Sequence, residues 1–218
     1  MSDKATKAKA HTRYRGKDNS IFPGVTTILD ILNKPALVKW ANNLGLQGID
    51  STKYRDEMAD IGTLAHLMIL NHFNKEETDT SEYSKDQIEK AENCLLSFYE
   101  WEKGHTIEPI LIEQQLVSET YRYGGTIDLY CRLDGVLTLV DFKTGKAIYS
   151  EMMYQLAAYQ QLLESNNHIC MNTRILRIGR DEDEGFEERV KVDLTLELLL
   201  FQHCQGIYNL QKQIRKGG

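Results

Sequence analysis

The stretch from Gly124 to Lys146, GGTIDLYCRLDGVLTLVDFKTGK, limits the fold more than any other part of the chain. Two runs rich in β-branched and apolar residues, 125–133 and 136–143, flank Asp134-Gly135, a dipeptide that supplies the positive φ angles of a two-residue hairpin turn. With that turn, Leu133 pairs with Val136, every cross-strand pair has numbers summing to 269, and Asp128 stands opposite Asp141. Directly opposed residues on one face of an antiparallel pair have Cβ atoms about 5 Å apart, and like charges there are destabilising. Side chains alternate along a strand, so Lys143 shares the face of Asp141 while Phe142 points the other way, towards a core.

Two carboxylates gathered in this way are explained by a hard divalent cation such as magnesium, which takes carboxylate oxygens and removes their repulsion. Such an ion acidifies bound water and stabilises charge on a phosphoryl oxygen, and Lys143 beside it would position the water or neutralise developing charge. A lone Asp-x-Lys would be read as a weak surface ion pair; the second aspartate opposite it favours the metal site. Glu113 adds a third carboxylate if its strand pairs beside Asp128, and is otherwise an exposed strand residue. His66 sits among apolar residues in mid-helix, where a lone histidine is ordinarily a core or boundary residue. Gln155 and Tyr159 are four apart and share a helix face, as partners in helix packing or as groups reaching the same site.

Around the hairpin, helical and extended segments alternate without repeats or low-complexity linkers, which predicts one domain over residues 21–218 behind a basic tail, residues 1–20. Helices are expected over 26–32, 35–44, 60–72 and 84–103, making residues 21–104 a helical N-terminal part. Ser84 with Gln87 three positions on forms a capping-box pattern. The catalytic sheet and its helices follow in 105–218: strands over 107–117, 125–133, 136–143, 173–179 and 186–193, and helices over 149–164 and 195–216. The class is α/β, a mixed central sheet of about five strands flanked by helices. The run Asp181, Glu182, Asp183, Glu184 lacks the glycine position of a calcium loop and reads as a solvated turn.

Cys94, Cys131, Cys170 and Cys204 are widely spaced with no CxxC pair, which points to reduced thiols and away from a zinc knuckle or an iron–sulfur cluster. With no long apolar run and no signal-like start, a cytoplasmic protein without a membrane span is expected. The net charge of -6 hides a basic stretch, Met1–Lys17, ahead of an acidic body. That stretch is a solvated tail or an arm along a phosphate backbone, but broad attraction cannot bring so acidic a body to nucleic acid.

The order His66, Glu113, Gly125-Thr-Ile-Asp128, Val140-Asp141-Phe142-Lys143-Thr144-Gly145 and Gln155-Leu-Ala-Ala-Tyr159 resembles the PD-(D/E)xK nuclease superfamily, in particular its RecB-type branch with phage exonucleases and the mitochondrial genome maintenance exonuclease. The resemblance covers His66 to Glu164, and 23–29 and 35–40 resemble the N-terminal helices of phage members. It implies a restriction-endonuclease-like core and a DNase that uses magnesium or manganese, more an exonuclease than an endonuclease, acting in recombination, replication or DNA processing. It makes His66, Asp128 and Asp141 metal ligands, Phe142 a ligand through its carbonyl, Lys143 the catalytic lysine, Glu113 an accessory acid, and Gln155 and Tyr159 neighbours of the substrate strand. The Gly62–His66 spacing fits the family's GxxxH element. Asp141 stands where glutamate is commoner, and the cluster-binding cysteines of some relatives are missing. The rival readings are a DNA-binding scaffold on a decayed nuclease core and a sequence-specific restriction enzyme, for which the chain shows no separate recognition domain.

Overall fold

The computed structural model describes residues 13–217, so residues 1–12 of the basic stretch lie outside the described residues. The sheet has the order β3 (Ile107–Ser118), β4 (Tyr123–Leu133), β5 (Val136–Thr144), β6 (Asn172–Ile178), β7 (Phe186–Lys191). All its neighbours are antiparallel except β5 and β6, which are parallel and joined through α5 (Ser150–Ser165). The expected mixed five-stranded α/β sheet is therefore present. The turn forms as its dipeptide dictates: Asp134 and Gly135 have φ of 50° and 85°, both left-handed as a two-residue hairpin requires.

Two apolar clusters hold the sheet. One gathers Ile127, Tyr130, Leu139 and Ile175 with α1 (Val25–Leu29), α5 and α6 (Thr195–Gly217). The other gathers Leu129, Val140, Phe142 and Leu176 with α3 (Ser51–Asn74) and α4 (Lys85–Glu102). Phe142 is fully buried there, edge-on to Phe98 at 5.8 Å between ring centres. Helix α4 begins at the expected capping box, with Ser84 and Gln87 bonding each other's backbone N–H groups. The four cysteines are buried and unpaired, and burial pushes the Cys94 and Cys131 thiols up to about 12. Among the described residues no helix is long and apolar enough to cross a membrane.

Three parts differ from the sequence reading. Helix α3 starts at Ser51, nine residues before the expected Asp60, because Asp50 caps it by accepting from Thr52 and Lys53 N–H. The two-residue strands β1 (Tyr14–Arg15) and β2 (Ile21–Phe22) pair in what was expected to be the basic tail and the start of the helical N-terminal part. The acidic turn is solvated only in part: Glu184 folds back onto the buried Arg180.

Helix α3 lies close on the end of β5 because Gly62 has no side chain; a Cβ there would stand 2.6 Å from Thr144 Oγ1. Gly62→Val is expected to lower the melting temperature by several degrees. Overpacking costs about 1–3 kcal/mol, against a helix-propensity gain of only a few tenths of a kcal/mol over glycine. A thermal melt checks this, and an unchanged midpoint would show that α3 is free to shift.

Candidate active site

The register that brings the two aspartates together runs as the turn predicts, from Leu133–Val136 to Leu129–Val140. The backbone ladder stops there, one step short of Asp128 and Asp141. Beyond that point the Asp128 carboxylate replaces the missing backbone acceptor: its Oδ2 takes a hydrogen bond from Phe142 N–H at 2.8 Å. Strand β4 also loses its alternation here, since Ile127 and Leu129, two apart, pack into different clusters. Across from Asp128, between the pairs Ile112–Leu129 and Gln114–Ile127, Glu113 holds a left-handed backbone with φ of 46°. A non-glycine residue in that region within a strand is strained, and such strain concentrates at functional sites.

Asp141 is 1% exposed, and neither carboxylate oxygen accepts a hydrogen bond of good geometry. The Lys143 ammonium lies 2.5 Å from its Oδ2. Burial pushes the Asp141 pKa up to about 6, with Lys143 opposing the rise and Asp128 adding to it. Burial disfavours the charge on Lys143, but Asp141 and Asp128 outweigh that and hold its pKa above the ordinary value. On α3, one turn beyond Gly62, His66 places Nδ1 3.8 Å from Asp128 Oδ2 and its ring edge-on to Phe142. His66, Asp128, Asp141 and Lys143 thus meet where β4, β5 and α3 converge.

Glu113, Asp128, Lys143 and His66 line a cleft of about 740 Å³, together with Met58, Gly62, Thr63, Thr126, Thr144 and Arg180. Glu113 is exposed there and stands beside Asp128, as the strand pairing requires. Gln155 and Tyr159 approach from α5, on the far side of the sheet. Gln155 Nε2 donates to the Tyr159 hydroxyl at 2.7 Å, and the buried Tyr159 ring sits where a Cβ on Gly125 would be, 2.6 Å from Cε1. Burial first, and then Asp141, raises the Tyr159 pKa well above its ordinary value, so the phenol stays protonated.

Sequence reasoning missed Arg180. Its guanidinium is forked onto Glu184, with Nε 2.8 Å from Oε2, and its Nη1 lies 2.5 Å from Met58 Sδ at the cleft wall. Only its position beside an acidic turn marked it, and charge alone does not distinguish a cleft residue from a solvated one.

Asp141 is the residue whose chemistry best fits a divalent ion: a buried carboxylate beside a second carboxylate, with the Lys143 ammonium at one oxygen, is a hard-oxygen donor set. In the arrangement seen, Asp128 is turned to the Phe142 amide and Asp141 to Lys143, and among the described residues no three His, Cys, Asp or Glu side chains converge on one point.

No family model and no curated protein matches the chain. Solved structures similar to it include a candidate exonuclease of Eubacterium rectale, with a TM-score of 0.49 and 16% identity over 71% of this chain. The matched part spans 66% of that protein. An alkaline exonuclease of Laribacter hongkongensis aligns with a TM-score of 0.36 and 13% identity over 74% of this chain and 92% of its own, and a structure of that enzyme holds dAMP.

Proposed function

We propose that the chain is a divalent-metal-dependent deoxyribonuclease of the RecB-type PD-(D/E)xK kind that degrades DNA from free ends. The observation that carries the reading is the buried Asp141 carboxylate, whose charged neighbours Asp128 and Lys143 both line the cleft. Asp128, Asp141 and His66 would hold magnesium or manganese, with the Phe142 carbonyl completing the protein's donors. Bound there, the ion supplies charge neutralisation at a phosphoryl oxygen and an acidified water.

The chain's own residues do the rest. Lys143, kept protonated by its two carboxylate neighbours, directs an N–H at the attacking water or at the phosphoryl oxygen that gains charge. Phe142 anchors the site from below: its ring is fixed in the core, so its amide fixes Asp128. The Arg180 guanidinium offers a phosphate contact further along the cleft. Met58, Gly62 and His66 succeed one another at four-residue steps on α3, and the same row continues back to Tyr54, whose ring lies 6.1 Å from that of Trp40. From His66 to Tyr54 is roughly 18 Å along the helix, a path suited to a single strand with its bases against aromatic rings.

A second reading, a DNA-binding protein on an inactive nuclease core, draws on the arrangement of the described residues, among which no three ligands converge. An assay with end-labelled linear single strands and closed single-stranded circles, with magnesium and with EDTA, separates the readings. Linear strands are expected to shorten stepwise only with metal, while circles survive. Rapid cutting of circles would make the chain an endonuclease, and no cutting of either substrate would favour the inactive core.

A further inference from the structure

Helix α6 carries two apolar faces. One, with Phe201, Cys204 and Tyr208, packs against the body. The other consists of Leu196, Leu199, His203, Ile207, Leu210 and Ile214, all exposed, with Leu196 at 76% and Ile214 at 74%. At 3.6 residues per turn these six fall within an arc of about 80°, roughly 130° from the packed face. Their steps of three and four residues are those of a helix-pairing seam. A solvated helix face would carry charge, yet residues 198–211 contain no Asp, Glu, Lys or Arg at all, in a chain that is 27% charged. Depletion of charge around an apolar stripe marks an interface core.

The stripe is also nearly symmetric about Gln205. Leu196 and Ile214 stand nine residues either side of it, His203 and Ile207 two, and Leu199 and Leu210 six and five. A pattern that reads alike in both directions is self-complementary under a two-fold axis across the helix. Near the centre, Gly206 has open space where a Cβ would be, which lets a second backbone come close. Parallel pairing would set Lys212, Arg215 and Lys216 beside their own copies; antiparallel pairing keeps the two basic ends apart. The exposed side chains offer roughly 600 Å² per partner, towards the lower end for a specific interface.

We propose that α6 forms the seam of a homodimer, lying antiparallel against the same helix of a second copy, with Leu196 against the partner's Ile214 and His203 against the partner's Ile207. This inference does not depend on the catalytic reading. Light scattering after size exclusion is expected to give twice the 25.1 kDa of one chain for the wild type at micromolar concentration. Leu199→Glu with Leu210→Glu should return the mass to 25.1 kDa with unchanged circular dichroism, since both side chains are already exposed in the single chain, and with a melting midpoint lowered only by the lost association. A monomeric wild type, or a double variant that stays dimeric, overturns the proposal. Orientation is read by oxidative cross-linking, the native cysteines being buried. A mixture of Leu196→Cys and Ile214→Cys chains should cross-link with each other; self-cross-linking of Leu196→Cys alone would show parallel pairing and overturn the antiparallel seam.

Discussion

Lys143→Ala is expected to bind single-stranded DNA as the wild type does and to lose turnover by roughly 100-fold or more, the usual scale for removing a positioned proton donor or an electrostatic stabiliser. The split follows from where the lysine sits. Its ammonium is set back against Asp141 at the cleft wall, so it contributes little to holding a strand and much to the charge that appears as the phosphodiester is attacked. Lys143→Arg should rescue little, because a planar fork does not fit where a compact ammonium contacts one carboxylate oxygen. Steady-state rates beside fluorescence-anisotropy affinities measure both quantities. Unchanged turnover in Lys143→Ala would remove the lysine from the chemistry.

Magnesium or manganese is expected to raise the melting temperature by about 5–10 °C when present at a hundred times its dissociation constant. One-site binding at that excess contributes about 2.7 kcal/mol, and each kcal/mol moves the midpoint of a domain of this size by roughly 2–4 °C. The source of the gain is the cost of the Asp141 charge: the carboxylate is buried, and Asp128 adds to that cost. Asp128→Asn should abolish the rise while keeping the fold, because the amide oxygen can still accept from Phe142 N–H. Asp141→Ala is the less clean variant, since it leaves the part-buried Lys143 ammonium without its nearest partner. Scanning calorimetry with and without metal checks both, and equal responses of wild type and Asp128→Asn would show that the hairpin does not hold the ion.

The parts of this fold that sequence makes visible are those decided by local chemistry. Asp134-Gly135 sets its own turn and through it the pairing from Leu133–Val136 to Leu129–Val140, and Ser84 with Gln87 caps α4. Periodicity found the later half of α3, where Ile61, Leu64, Ala65 and Met68 face a core, but not residues 51–59, which are mostly polar and are held by the Asp50 cap. An ideal pleat also cannot reveal where a strand breaks step. The ladder ends before Asp128, Glu113 turns left-handed beside it, and Asp141 lies buried near enough to Tyr159 to raise that phenol's pKa, all products of tertiary packing. His66 is understood through Gly62, whose missing side chain lets α3 settle on Thr144 and brings the imidazole over Phe142. Arg180 belongs to the cleft only because its loop folds against α3 and α4, through Met58 and the Asn93 amide, a contact nearly ninety residues away in sequence in the latter case.

Anomalous diffraction from crystals soaked in manganese would show whether the hairpin aspartates and His66 form a metal centre. A peak is expected between Asp128, Asp141 and His66 in the wild type, and none there in Asp128→Asn. A peak elsewhere on the chain, or an empty cleft under conditions that support DNA cleavage, would contradict it.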